Sequence, residues 1–295
     1  MATSDAERRQ WTQQGAQDAA QATYASVKRA IERSPDLVGK VDIFLQGSYA
    51  NATNTRGDSD VDVVVMSTST YFPDTRRLSS ADRDRERASG SPATMTSLGF
   101  RKLVEQALVD YYGVSRVHPK NKCLRVDKSA GYVDADVVPA EQVRLYTSYP
   151  SYGSPSFIEG TSIQPLEGTR IVNFPKEHRK NGARKNGLCS DRYKPTVRQI
   201  KRLRRKAVEA GLIAKGLAPG YLLECMTYNV PNRLFAYDDA SRLVQVMAWL
   251  HGQSAEKMAT EFMACDEVHR LFVDDPGDHD QYGAVRIIDQ LWRLL

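Results

Sequence analysis

The fold turns on the stretch Phe44-Leu45-Gln46-Gly47-Ser48-Tyr49-Ala50-Asn51-Ala52-Thr53-Asn54-Thr55-Arg56-Gly57-Asp58-Ser59-Asp60-Val61-Asp62-Val63-Val64-Val65. Val41–Leu45 and Val61–Val65 are short β-branched or aromatic runs bounded by Gly, Asn and Asp, so both read as strands, the second of them buried. Side chains alternate along a strand, which sends Asp58, Asp60 and Asp62 to one face and Val61, Val63 and Val65 into the core. Carboxylates in so short a row repel, and the row is costly unless a cation neutralises it; hard oxygen donors with open positions suit Mg²⁺. The Gly-Ser turn after the first strand lets backbone approach a phosphate, whose oxygens accept from exposed N–H groups and from the Ser48 hydroxyl. Acids alone would also fit a sheet edge guarded against aggregation. Strand, Gly-Ser, spacer, D-x-D and strand in that order argue for a site instead.

Working outward, residues 5–33 are rich in Ala, Gln, Glu, Arg and Lys and lack Pro, which predicts one long amphipathic helix ending at Ser34-Pro35. Residues 67–97 are dominated by Ser, Thr, Arg and Asp and read as a mobile surface excursion. A helical pattern returns over 98–112. Lys122–Val126 and Tyr132–Val138 then read as two strands joined by a hairpin-like turn, the second ending at Pro139. From about 194 onward the pattern is helical, over 194–210, 218–229, 238–251 and 281–294. Strands first and helices second indicate an α+β arrangement.

The composition sharpens this. The chain has 295 residues, 41% of them hydrophobic and 26% charged, with a net charge of +5, which excludes disordered, collagen-like and membrane-barrel classes. Residues 176–206 hold 13 Lys/Arg against two acids, a local +11, leaving −6 for the remainder. An acidic body with one basic segment argues against a DNA-coating protein and for a local anion site. Cys123, Cys189, Cys225 and Cys265 form no C-x-x-C pair and read as reduced thiols; Cys265 and His269 lie four apart, but two ligands do not make a zinc site. With no signal-peptide pattern and no long apolar run, a cytoplasmic protein without membrane contact is expected.

The Gly-Ser and D-x-D stretch resembles the signature of the nucleotidyltransferase superfamily that includes DNA polymerase β, poly(A) polymerases and the CD-NTases (cGAS/DncV-like nucleotidyltransferases). In that superfamily a third carboxylate arrives on a later strand. Tyr132-Val133-Asp134-Ala135-Asp136-Val137-Val138-Pro139-Ala140 supplies it, and its D-V-V-P-A ending is similar to the CD-NTase form. Asp136, directly before Val-Val-Pro, aligns with the third acid; Asp134 on the same strand face is the alternative. Lys201, inside the basic segment, matches the helical lysine that contacts the triphosphate. Pro219-Gly220-Tyr221-Leu222-Leu223-Glu224 is similar to a block of clade E bacterial CD-NTases, where Ser-(Phe/Tyr)-Leu-(Leu/Ile)-Glu is usual. Gly220 replaces that Ser and offers no hydroxyl to a phosphate. Asn173 falls near a base-reading position at which Asn accompanies pyrimidine use in some members, and an amide can pair with a uracil edge. A turn-forming Asn before Pro175 fits as well.

The resemblance implies a polymerase-β-like core with a mixed or antiparallel sheet over residues 1–165, including an N-terminal spine helix. A C-terminal helical (OAS-like) lobe over 166–295 would complete the nucleotide cleft. It also implies two Mg²⁺ ions, with Mn²⁺ as a possible substitute, held by Asp60, Asp62 and Asp136. Gln46, Gly47, Ser48, Lys201, Tyr221 and Asn173 would contact the nucleotide. Tyr49, Tyr193 or Tyr221 could stack on a base, although core packing explains any of them equally. The expected activity is synthesis of a cyclic di- or trinucleotide second messenger from NTPs, with release of pyrophosphate, in CBASS antiphage defence. A downstream effector would respond to the product, and a regulatory partner protein and secondary RNA binding are further expectations. The alternatives are an RNA- or protein-directed nucleotidylyltransferase with the same triad and an inactive RNA-binding module.

Overall fold

In the computed structural model the described residues are 2–295 except 16, 56–59, 94, 276 and 278, so Asp58 of the expected acidic row lies outside them. The strands are β1 (Val41–Gln46), β2 (Asp60–Asp74), β3 (Val117–Pro119), β4 (Leu124–Val126), β5 (Asp134–Ser148), β6 (Ser156–Ile163) and β7 (Ile171–Asn173). The helices are α1 (Asp5–Gln10), α2 (Asp18–Glu32), α3 (Gly47–Ala50), α4 (Ser80–Ser89), α5 (Ser97–Tyr112) and α6 (Pro175–Leu188). They continue with α7 (Tyr193–Glu209), α8 (Gly220–Tyr228), α9 (Asp239–His251), α10 (Ala255–Glu261) and α11 (Gln281–Trp292). By contacts the chain forms two units that alternate in sequence. One gathers Gln17–Gln46 and Ser59–Pro175; the other gathers Met1–Ala16, Gly47–Asp58 and Lys176–Leu295.

The first unit is built on a mixed seven-stranded sheet of order β1-β2-β5-β4-β3, with β6 joining β5 and β7 joining β6. β2 and β5 run parallel, and the other pairings are antiparallel. Val61, Val63 and Val65 are fully buried as the alternation requires, and Val64 and Met66 of the opposite face are covered too, against Val138, Ala140 and Ile163. Helices α2 and α5 pack on β2 and β5 and bury Val27, Ile31, Val104 and Leu108.

Two expectations about this unit are corrected. Residues 67–97 are not a structureless excursion. β2 runs on to Asp74, its pairing with β5 resuming at Tyr71 after a bulge, and α4 follows, capped by Ser79. Nor does the last strand stop at Pro139, because β5 continues through it to Ser148. Proline has no N–H for a ladder, so it is tolerated only where none is needed. Here β4 pairs with residues 135–137 and β6 begins opposite Glu141, so Pro139 falls in the gap between two neighbours.

The second unit is helical around a core that includes Tyr193, Val197, Ile200, Leu203, Leu223, Met226, Val246 and Met247. In this unit the expected single N-terminal helix breaks: α1 ends at Gln10, and α2, which belongs to the sheet unit, begins only at Asp18. The carbonyls that a continuous helix would use internally accept instead from α7. Arg198 Nε donates to Thr12 O at 2.6 Å, Gln199 Nε2 to Arg8 O at 2.7 Å and Arg202 Nη2 to Gln13 O at 3.1 Å. Gly15 lies so close to the backbone of Thr55 that a Cβ would sit 2.7 Å from its carbonyl oxygen. Helix α6, which no apolar pattern announced, covers the first half of the basic segment.

Candidate active site

The carboxylates stand at one end of the sheet unit because β2 and β5 start there in parallel, in phase. Asp60 pairs with Asp134 and Asp62 with Asp136. Gln46, the last residue of β1, lies opposite Asp62, and Arg125 of β4 lies opposite Asp136. Residues opposite each other across strands share a face, so Gln46, Asp62, Asp136 and Arg125 form one row across four strands. Burial, followed by the charges of Asp136 and Asp60, pushes the Asp62 carboxyl up to about 7. The donor set of hard oxygens fits a divalent ion.

Arg125 is a neighbour that the sequence did not single out. Its guanidinium reaches Asp134 Oδ2 at 2.9 Å, Asp60 Oδ2 at 3.3 Å and Asp136 Oδ1 at 3.7 Å. Asp134 also accepts the Lys128 N–H at 2.7 Å. Asp134 is thus engaged by the β4–β5 turn, which leaves Asp136 the freer of the two candidates for the third acid. Cys123 hydrogen-bonds Asp136, and burial followed by that carboxylate pushes its thiol up to about 12, so it stays protonated. Asn173 is a strand residue and not a turn: it pairs with Thr161 across β6 and β7, and its side-chain oxygen accepts from Thr161 Oγ1.

The Gly-Ser segment and Lys201 belong to the helical unit. Gly47 adopts φ +68, a left-handed value that glycine takes without strain, and opens the single turn of α3 that carries Ser48 and Tyr49. Lys201 is buried; its Nζ donates to Thr53 O at 3.2 Å and to Thr53 Oγ1 at 3.0 Å. Much of the basic segment is engaged likewise inside its own unit. Arg198 Nη1 donates to Ala52 O at 2.6 Å, Arg192 to Ala236 O at 2.7 Å, Lys185 to Val230 O at 2.6 Å and Lys206 to Glu7 Oε1 at 3.0 Å.

Of the tyrosines, Tyr193 is fully buried in the helical core, where it offers no surface to a base. Tyr221 gives its hydroxyl to Asp275 Oδ2 at 2.6 Å, with its ring centroid 5.5 Å from that of His178 and 5.9 Å from that of His279. His269 pairs with Asp266 at 2.8 Å. His178, Cys225 and Cys265 do converge, with ligand atoms within 4.8 Å of one another. Yet His178 Nε2 is taken by Glu224 at 3.0 Å, and burial holds the Cys265 thiol well above its usual range. The cluster is a piece of the helical core. No helix of the described residues is long and apolar enough to cross a membrane.

A polymerase-β-like mixed sheet presenting in-phase carboxylates from two parallel strands, with a C-terminal helical domain, is a nucleotidyltransferase. The chain belongs to the CD-NTases, the cGAS/DncV-like nucleotidyltransferases. Residues 180–295 match the model of the C-terminal helical domain of that family, and residues 27–92 match the general nucleotidyltransferase domain. The chain is 36% identical over 294 residues to a cyclic UMP-AMP synthase of Rhodothermus marinus, covering 99% of this chain and 98% of the relative. It is 35% identical over 263 residues to the cyclic dipyrimidine nucleotide synthase CdnE of Legionella pneumophila, covering 88% and 85%. The solved structure of the Rhodothermus marinus CdnE c-UMP-AMP synthase with Apcpp and Upnpp superposes with a TM-score of 0.85 at 34% identity, covering 98% of this chain and 95% of that one. Enzymes of this class use divalent metal ions.

Proposed function

We propose that this protein condenses nucleoside triphosphates, UTP among them, into a cyclic di- or trinucleotide with release of pyrophosphate, and that the product is a second messenger in antiphage defence. The observation that carries this reading is end-to-end similarity to a cyclic UMP-AMP synthase in a chain with carboxylates at 60, 62 and 136. Asp60, Asp62 and Asp136 are the residues that would hold Mg²⁺, with Mn²⁺ as a substitute; when bound, the ions neutralise the polyphosphate and stabilise the leaving pyrophosphate. Asp136 favours loss of the proton from the attacking hydroxyl, whose oxygen forms the new bond to the α-phosphorus as the bond to pyrophosphate breaks. Gln46, Gly47, Ser48 and Lys201 hold the triphosphate. Asn173 supports pyrimidine use, since its amide N–H₂ donates to a uracil carbonyl. Residues 1–165 then supply the carboxylates and 166–295 the lysine.

The test is to incubate the protein with each α-labelled NTP and Mg²⁺ or Mn²⁺, then add phosphatase. Phosphatase-resistant label in a small molecule supports the reading; label on protein or on added RNA supports transfer to a macromolecule instead. The double variant Asp60→Asn, Asp62→Asn should lose all pyrophosphate release while keeping its thermal transition. Retained turnover would overturn the assignment.

A further inference from the structure

Arg198, Lys201 and Arg205 recur on one face of α7 at helical spacing, and all three hold the segment between Ser48 and residue 56. Arg198 takes Ala52 O, Lys201 takes Thr53 O and Oγ1, and Arg205 Nη2 lies 3.3 Å from Thr55 Oγ1. Behind Lys201 stands Glu224 of α8, 3% exposed. Its Oε2 accepts from Thr53 Oγ1 at 2.9 Å and lies 3.7 Å from Lys201 Nζ, while its Oε1 accepts from His178 Nε2 at 3.0 Å. The Thr53 hydroxyl, fully buried, joins the two: it donates to Glu224 and accepts from Lys201. A hydroxyl has one proton to give, so the carboxylate on one side fixes its acceptor side toward the ammonium on the other. Gly220 leaves the space in which the lysine runs. A Cβ there would lie 3.2 Å from Lys201 Cε and 3.4 Å from its Nζ.

We propose that Glu224 is a positioning residue for triphosphate binding, acting through Thr53 on Lys201; this rests on the reading of Lys201 as a triphosphate ligand. An ammonium carries three donors. Thr53 engages two of them, so among the described residues the third is left to a phosphate oxygen. A lysine on a free stem would surrender its rotamer freedom at each binding event, whereas one already tethered does not. His178 balances the carboxylate from the far side, so that Glu224 orients the ammonium without neutralising it.

The experiment compares wild type with Lys201→Ala, Glu224→Gln, Thr53→Val and Thr53→Ser, and with the doubles Glu224→Gln/Lys201→Ala and Thr53→Val/Lys201→Ala. Measured are the dissociation constants of nonhydrolysable UTP and ATP analogues with Mg²⁺, together with KM and kcat from pyrophosphate release. Lys201→Ala, Glu224→Gln and Thr53→Val are each expected to weaken analogue binding and raise KM by about tenfold, with a much smaller change in kcat. Thr53→Ser, which keeps the hydroxyl, should bind as wild type does. The decisive outcome lies in the doubles, which should be no worse than Lys201→Ala alone, because residues acting through one another are not additive. If the effects multiply, Glu224 and Thr53 act independently of Lys201, and the proposal falls while Lys201 keeps its role. If Lys201→Ala binds as wild type does, the underlying reading falls and takes the proposal with it. Should Glu224→Gln fail to fold, the nearly isosteric Thr53→Val carries the same comparison.

Discussion

Raising the pH across the neutral range should destabilise this protein through one histidine. His178 is 7% exposed and is faced by Glu224, Cys225, Cys265, Asp266 and the ring of Tyr221. Burial pushes its imidazolium down, but the Glu224 carboxylate overrides that and holds the folded-state value at about 9, against 6.5 for an unperturbed histidine. A folded value above the unfolded one means that the contribution is fully present below pH 6.5 and is lost as the pH rises through 9. The gap between the two values corresponds to on the order of 3 kcal/mol. At roughly 2–4 °C per kcal/mol for a chain of this size, the melting temperature should fall by about 6–12 °C more between pH 6 and pH 10 in wild type than in His178→Gln. Cysteines, tyrosines and lysines away from His178 also titrate in that window, but they are common to both proteins and drop out of the comparison. The acid side runs the other way. Burial raises the Glu224 carboxyl, yet His178, Lys201 and Thr53 bring it down to about 2, so its contribution is present above 4.5 and lost only as the pH falls toward 2. Parallel melting profiles for wild type and His178→Gln from pH 6 to pH 10 would refute the reasoning.

Other perturbations follow from the same contacts. Gly160→Ala places a Cβ 2.8 Å from Phe174 Cε1 and 2.9 Å from Asn173 O, and should cost about 1–3 kcal/mol in chemical denaturation. Arg125→Ala removes the cation among Asp60, Asp134 and Asp136. In EDTA the variant should be less stable than wild type by up to about 1 kcal/mol, and Mg²⁺ should stabilise it more than it stabilises wild type; equal stabilisation of both proteins would count against a cation site there. Arg198→Ala leaves the carbonyls of Thr12 and Ala52 without their donor and should cost about 2–4 kcal/mol by denaturant titration, with Arg198→Lys recovering only part, since an ammonium lacks the fork that reaches both.

What the sequence determined by itself is local. The alternation of Asp60, Val61, Asp62 and Val63 sends acids to one face and valines to the core whatever lies beside the strand. Glycine at 47 marks a backbone turn, and the apolar spacing of 98–112 and of 194–210 sets two helices to within a residue or two. Together with the resemblance, those features sufficed for the α+β class and the family. Only the tertiary structure decided what depends on partners distant along the chain. A helical pattern runs from residue 5 to residue 33 with only Gly15 against it, and side chains nearly two hundred residues away on α7 take the carbonyls that would have closed its middle turn. Pro139 reads as the end of a strand because a missing donor usually is one; it becomes an interior position only because two neighbouring strands leave a gap beside it. Likewise, thirteen cations between residues 176 and 206 read as a surface for phosphate, but where each proton goes is set by which carbonyl folds against it. The Lys201–Thr53–Glu224–His178 chain joins residues at four separate places in the sequence, and no spacing rule could connect them.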